Sequence, residues 1–201
     1  MTMRNVAGVL AAAVPLFVSS AALAATPTLK IKLKHNTQRE QQTKEEVERL
    51  AARYDLKKFT LTRDIMIEQG AMAHSHPVLT MNCRFLRDDD LLLSQYLHEQ
   101  GHWVLLQRHR HDMPRLLRDL KGLLPGLPTA YPQGGFDEQG TYVHVAVNLL
   151  EWQALEEVIG PERARRVMEW KRGDHYTAIY SAVLENREQL ERVLQKYDIK
   201  F

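Results

Sequence analysis

A single cysteine, Cys83, stands in this chain of 201 residues. No internal disulfide can therefore form, and the fold must be held by its core, a bound metal, or both. The lone thiol is a weak ligand candidate and suits a small buried hydrophobe. Neither sign of charge dominates, since 27 Lys and Arg face 25 Asp and Glu. That balance removes any demand for nucleic acid or an anionic membrane surface as a partner. Beyond the N-terminus no apolar run approaches the roughly 20 residues that span a bilayer, so no stable membrane insertion is expected. Internal repeats and low-complexity tracts are absent, which excludes a repeat array. The length suits one domain with a real core.

The N-terminus is a separate object. Arg4 precedes an apolar run from Val6 to Val18, followed by the small-residue sequence Ala22-Leu23-Ala24-Ala25. This pattern predicts a signal peptide over residues 1–24, cut after Ala24, with residues 25–201 as one domain in the periplasm or outside the cell.

The mature chain opens with alternating lysines and apolar residues (Leu29, Ile31, Leu33), which suits an arm or an edge strand. Residues 38–54 carry Val47, Leu50, Ala51 and Tyr54 at helical spacing. Two strand-like runs, 59–67 and 76–82, flank Gly70 and predict a small antiparallel sheet. Asp88, Asp89 and Asp90 then suit the start of a helix that is apolar almost all round through Leu105, and hence buried. A basic amphipathic helix is expected over 114–124, and a Pro- and Gly-rich loop over 125–140 of the kind that forms lids. Helices follow over 141–159 and 161–171, the latter opened by Pro161. A last helix, capped by Asp174, is expected to reach Tyr197. The fold class is mostly helical α+β.

The decisive segment is His98-Glu99-Gln100-Gly101-His102, an H-E-x-x-H on the buried helix. Side chains four apart share one helix face, so both imidazoles can reach one ion. Glu99 projects beside that ion and can act as base toward a metal-activated water, passing the proton on to a leaving amine. Gly101 weakens the helix, and a close approach by another backbone or by the ion would explain it.

This segment resembles the active-site helix of the zincin metallopeptidases. The resemblance implies one Zn2+ per chain, a small sheet over the helix, a cleft between them, and a third ligand from downstream. In the metzincin group that ligand is a His shortly after the motif, following a Gly; here Trp103-Val104-Leu105-Leu106-Gln107-Arg108-His109 lacks the Gly. In the gluzincin group it is a Glu on a second helix, and Glu151 is the foremost candidate, because a carboxylate in so apolar a helix is costly to bury without a cation. His144, Glu156 and Glu157 are rivals. His144, Asn148 and Glu151 form one stripe, in which Asn148 can serve as a partner to a ligand. Leu155 stands where several gluzincins carry an Asp, so no subfamily is assigned.

Peptidases of this type add a His or Tyr that stabilises the oxyanion, and His175 and Tyr176, at the entry of the last helix, are the candidates. His74 and His76 lie on one strand face at an edge where a peptide could add as a further strand. These readings predict a zinc peptidase with a peptide or protein substrate. Two alternatives are a non-catalytic zincin-fold protein of the envelope in which zinc is structural, and a metal-buffering protein supported only by scattered histidines.

Overall fold

The computed structural model describes residues 28–201. The predicted signal peptide lies outside the described residues. Strand β1 (Lys30–Leu33) turns Lys30 and Lys32 to solvent and Ile31 and Leu33 toward helix α1 (Gln38–Arg53), as an edge strand should. Thr37 opens α1 with a reciprocal cap: its hydroxyl accepts from the Glu40 amide while the Glu40 carboxylate accepts from the Thr37 amide. Glu40 is wholly buried, and it also takes the amides of His35 and Gln69, both at 2.9 Å. One carboxylate thereby fastens the ends of β1 and of strand β2 (Asp64–Ile67) to the start of α1.

Helix α1 carries the chain back, so β1 and β2 run parallel, with Ile31 opposite Ile65 and Leu33 opposite Ile67. Strand β3 (Leu79–Met81) is also parallel to β2, in the order β1-β2-β3. The expected antiparallel sheet is therefore corrected to a parallel one. Its cause lies between the second and third strands. Gly70, at φ +85°, turns the chain, and the following segment doubles back along β3, meeting it in a single antiparallel bridge, His74 with Thr80. That return lets β3 enter in the same direction as β2.

Asp88 caps helix α2 (Asp89–Arg108) through the Leu91 amide. The helix lies under the sheet and against helix α4 (Glu138–Ile159), and both are buried over most of their length. Leu97, Val104, Leu149 and Leu150 are fully enclosed, each such side chain contributing about 1.5–3 kcal/mol. A Cβ placed on Gly101 would meet Val147 Cγ1 at 3.4 Å, an ordinary contact, so α4 lies against this glycine without requiring it. Gln100, wholly buried, accepts from the amides of Leu61 and Thr62 and donates to the Thr62 carbonyl at 2.8 Å, tying α2 to the chain entering β2.

Helix α3 (Met113–Leu123) packs on α4 and leads into the glycine-rich loop. This loop is folded on itself, since a Cβ on Gly134 would fall 2.0 Å from the Pro128 carbonyl oxygen. Helix α5 (Pro161–Lys171) follows α4 after Gly160. The last predicted helix is two: α6 (Thr177–Glu185) and α7 (Arg187–Lys196). Asn186 divides them at φ −120°, its side-chain and backbone amides both donating to the Ala182 carbonyl, at 2.9 and 3.0 Å. Asp174 is not the cap. The first amides of α6 are instead satisfied by the loop, Thr177 donating to the Pro132 carbonyl and Ala178 to that of Gln133.

Candidate metal centre and cleft

One turn of α2 presents His98 and His102, and the facing turn of α4 presents His144. One ring nitrogen from each lies within 4.8 Å of the others, a buried group able to hold a metal ion. His98 and His144 stack with centroids 5.5 Å apart, and His102 meets both edge-on, at 5.1 and 4.9 Å. His144 Nδ1 lies 2.7 Å from the Gly140 carbonyl oxygen, which can only accept, so its Nδ1 donates and its Nε2 lone pair is left for an ion. His98 is fixed in the same sense by Glu151, whose Oε2 is 3.0 Å from its Nδ1. Burial, then repulsion from His144, Lys171 and His175, pushes His98 well below its ordinary value; burial, then His98, His144 and His76, does the same to His102. Burial likewise takes His144 down to about 4. All three are therefore neutral donors, the form a metal requires.

The third imidazole is thus His144, and Glu151 stands behind His98 without joining the group. Its two oxygens are spent on Ser94, His98 and Tyr180, the last at 2.9 Å. Of the other rivals, Glu156 pairs with Arg187 and Glu157 with Lys58, neither among the group able to hold an ion. Asn148 is fully buried and neither atom of its amide finds a partner. Cys83 is buried, in keeping with the reading of a small hydrophobe.

Above the histidines opens a cleft of about 360 Å³, whose lining includes Glu99, His175, Tyr176 and Lys171. Glu99 is 4% exposed. Burial raises its carboxyl to about 8, with Glu151 adding and Lys171 opposing. A carboxyl so displaced, inside a cleft, is a candidate functional group. Tyr176 enters α6 at φ 52°, a left-handed conformation that an aromatic residue holds only under constraint. Its ring lies 4.1 Å from that of His144, and burial, then the Glu99 charge, raises its hydroxyl to about 12, keeping it a donor. His175 Nδ1 is 2.6 Å from Asp174, which in turn pairs with Arg84.

The walls differ in character. One rim is the segment carrying Met72 and His74, pinned to α2 where the Trp103 indole donates to the Ser75 carbonyl at 3.0 Å. His76 packs on the Trp103 ring at 4.2 Å. The opposite rim is the glycine-rich loop, which projects Tyr131 and Phe136, stacked at 5.1 Å and both exposed. Lys171, Gln95 and Ser94 went unnoticed in the sequence because no local pattern marks them; only the packing of α5 against α2 brings Lys171 in. The chain matches no protein-family model, no curated protein and no solved structure.

Proposed function

We propose that this chain is an exported zinc-dependent peptidase acting on peptides or proteins. The observation that carries the reading is that Glu99, on the same turn of α2 as two of three clustered imidazoles, lines an open cleft with them. The donor set fits zinc: three neutral imidazoles, two held through Nδ1 by an acceptor behind, and no thiolate or further carboxylate in the group. When bound by His98, His102 and His144, a single zinc ion supplies Lewis-acid polarisation of a carbonyl and of water.

The chain's own residues account for the rest. Glu99, ionised once the charge of a bound cation offsets its burial, takes a proton from the attacking water and returns it to the leaving amine nitrogen. The Tyr176 hydroxyl, held protonated, donates to the oxygen that gains charge, and the His175 ring, oriented by Asp174, is a second donor on the same side. Glu151 positions His98, and Ser94 and Tyr180 position Glu151. The two rims leave room for an extended peptide between the Met72 segment and the Tyr131 and Phe136 pair. The resemblance of the motif to zincins agrees with this reading.

The test is hydrolysis of a mixed peptide library by zinc-loaded mature protein, with Glu99→Gln beside it. Cleavage abolished by a chelator and reduced at least about a thousandfold in Glu99→Gln, with zinc still bound, is the expected result. Zinc that stabilises the fold, with no cleavage in either protein, would replace this reading with the structural-zinc alternative.

A further inference from the structure

Lys171 ends α5 with its side chain against the cleft, only 2% exposed. Among the described residues its ammonium makes no hydrogen bond and meets no carboxylate within 4.0 Å; its near neighbour is the Phe85 ring, 5.4 Å from Nζ to centroid. An ammonium carries three donors, and none of these is spent on the protein; the Nζ keeps contact with solvent in the cleft. The other fixed cation lining the cleft, Arg84, is already engaged with Asp174. Gln95 stands in the same wall, donating to Asn82 Oδ1 at 3.0 Å. Lys171 lines the same cleft as Glu99, His98 and His175, and its charge is felt at all three.

We propose that Lys171 receives a carboxylate of the substrate, so that the cleft selects peptides by an anionic group near the bond cut. The inference rests on the peptidase reading above. The same chemistry is offered by a free C-terminus and by an Asp or Glu side chain. Lys171 is then a specificity residue: it takes no proton from the reacting atoms, and its ion pair with the substrate replaces the water that the substrate displaces.

The experiment uses three mixed-sequence libraries with the zinc-loaded protein: peptides without acidic residues ending in a free carboxylate, the same peptides ending in a carboxamide, and amidated peptides containing Glu. Peptides bearing the carboxylate should be cut about tenfold to a hundredfold faster than the neutral ones, the range of one charge-assisted bond. Lys171→Met should erase that preference and Lys171→Arg should keep part of it, each with zinc content and thermal midpoint of the parent. Preference for the first library identifies a C-terminus as the ligand, and preference for the third a side chain. Equal slowing of all three libraries by Lys171→Met would overturn the proposal, since it would mean that Lys171 serves the fold or Glu99. An unchanged preference in that variant would overturn it too. Binding of the same peptides to zinc-loaded Glu99→Gln gives the reading free of turnover. If the parent cuts nothing, the peptidase reading falls, and carboxylate-dependent binding lost in Glu99→Gln with Lys171→Met still supports the Lys171 site; its absence there overturns it.

Discussion

Glu151 Oε2 and His98 Nδ1 lie 3.0 Å apart, on the side of the imidazole away from the other two histidines. A carboxylate accepts only, so this contact fixes the tautomer of His98 and points its Nε2 into the cluster. His144→Ala should therefore abolish stoichiometric zinc binding, whereas Glu151→Gln should keep the metal and weaken affinity by about 10–100-fold. Titration against a competing chromophoric chelator reads both. Retention of metal by His144→Ala with its loss in Glu151→Gln would reverse the assignment.

Tyr180 is fully buried and its hydroxyl donates to Glu151 at 2.9 Å. Removing that hydroxyl in Tyr180→Phe leaves one carboxylate oxygen with a single partner. A loss of about 1.5–3 kcal/mol is expected in urea unfolding. A midpoint equal to the parent's would show that the bond contributes nothing net.

Glu40 sets an acid limit on stability. Burial acts to raise its carboxyl, but the amides of Gln69, His35 and Thr37 and the His35 ring prevail and hold it down from 4.5 to about 2. The folded value lies below the unfolded one. Its contribution is therefore fully present above pH 4.5 and lost as the pH falls toward 2. Chemical unfolding from pH 6 to pH 2 should show a decline in the parent that is shallower in Glu40→Gln. Parallel curves would remove Glu40 from the account.

Two glycines should answer differently to alanine. At Gly101 the added Cβ makes ordinary contact with Val147 and Leu150, and the helix propensity gained is about 1 kcal/mol, so Gly101→Ala should change stability by less than about 1 kcal/mol. At Gly134 the Cβ would stand 2.0 Å from the Pro128 oxygen, so Gly134→Ala should cost about 1–3 kcal/mol or more. Thermal melts of the two variants decide it, and equal effects would contradict the loop geometry described.

Much of the helical frame was legible in the sequence, because α1, α2, α4 and α5 carry apolar periodicity, acidic starts or proline that act locally. The sheet direction was not. Two short strands flanking Gly70 look like a hairpin, and only the path of the intervening segment, returning along β3, makes them parallel. The break at Asn186 was equally hidden, since the residues on either side of it favour helix and only the backbone of this one residue departs from it. At the cleft the stripe of His144, Asn148 and Glu151 was readable, but which of its members meets the histidines of α2 depends on where along α4 the two helices cross. Lys171 carried no signal in its own segment.

The return of the chain at His74 has one more effect. Thr80 exchanges both of its backbone hydrogen bonds with His74, at 2.7 and 3.1 Å, so the outer margin of β3 is occupied at that point by the chain itself. The opposite margin, β1, is studded with lysines. A sheet guarded at one end by charge and at the other, at one point, by its own backbone offers a poor template to a second copy, so the chain can keep a partly apolar cleft open to its surroundings with less risk of strand-to-strand aggregation.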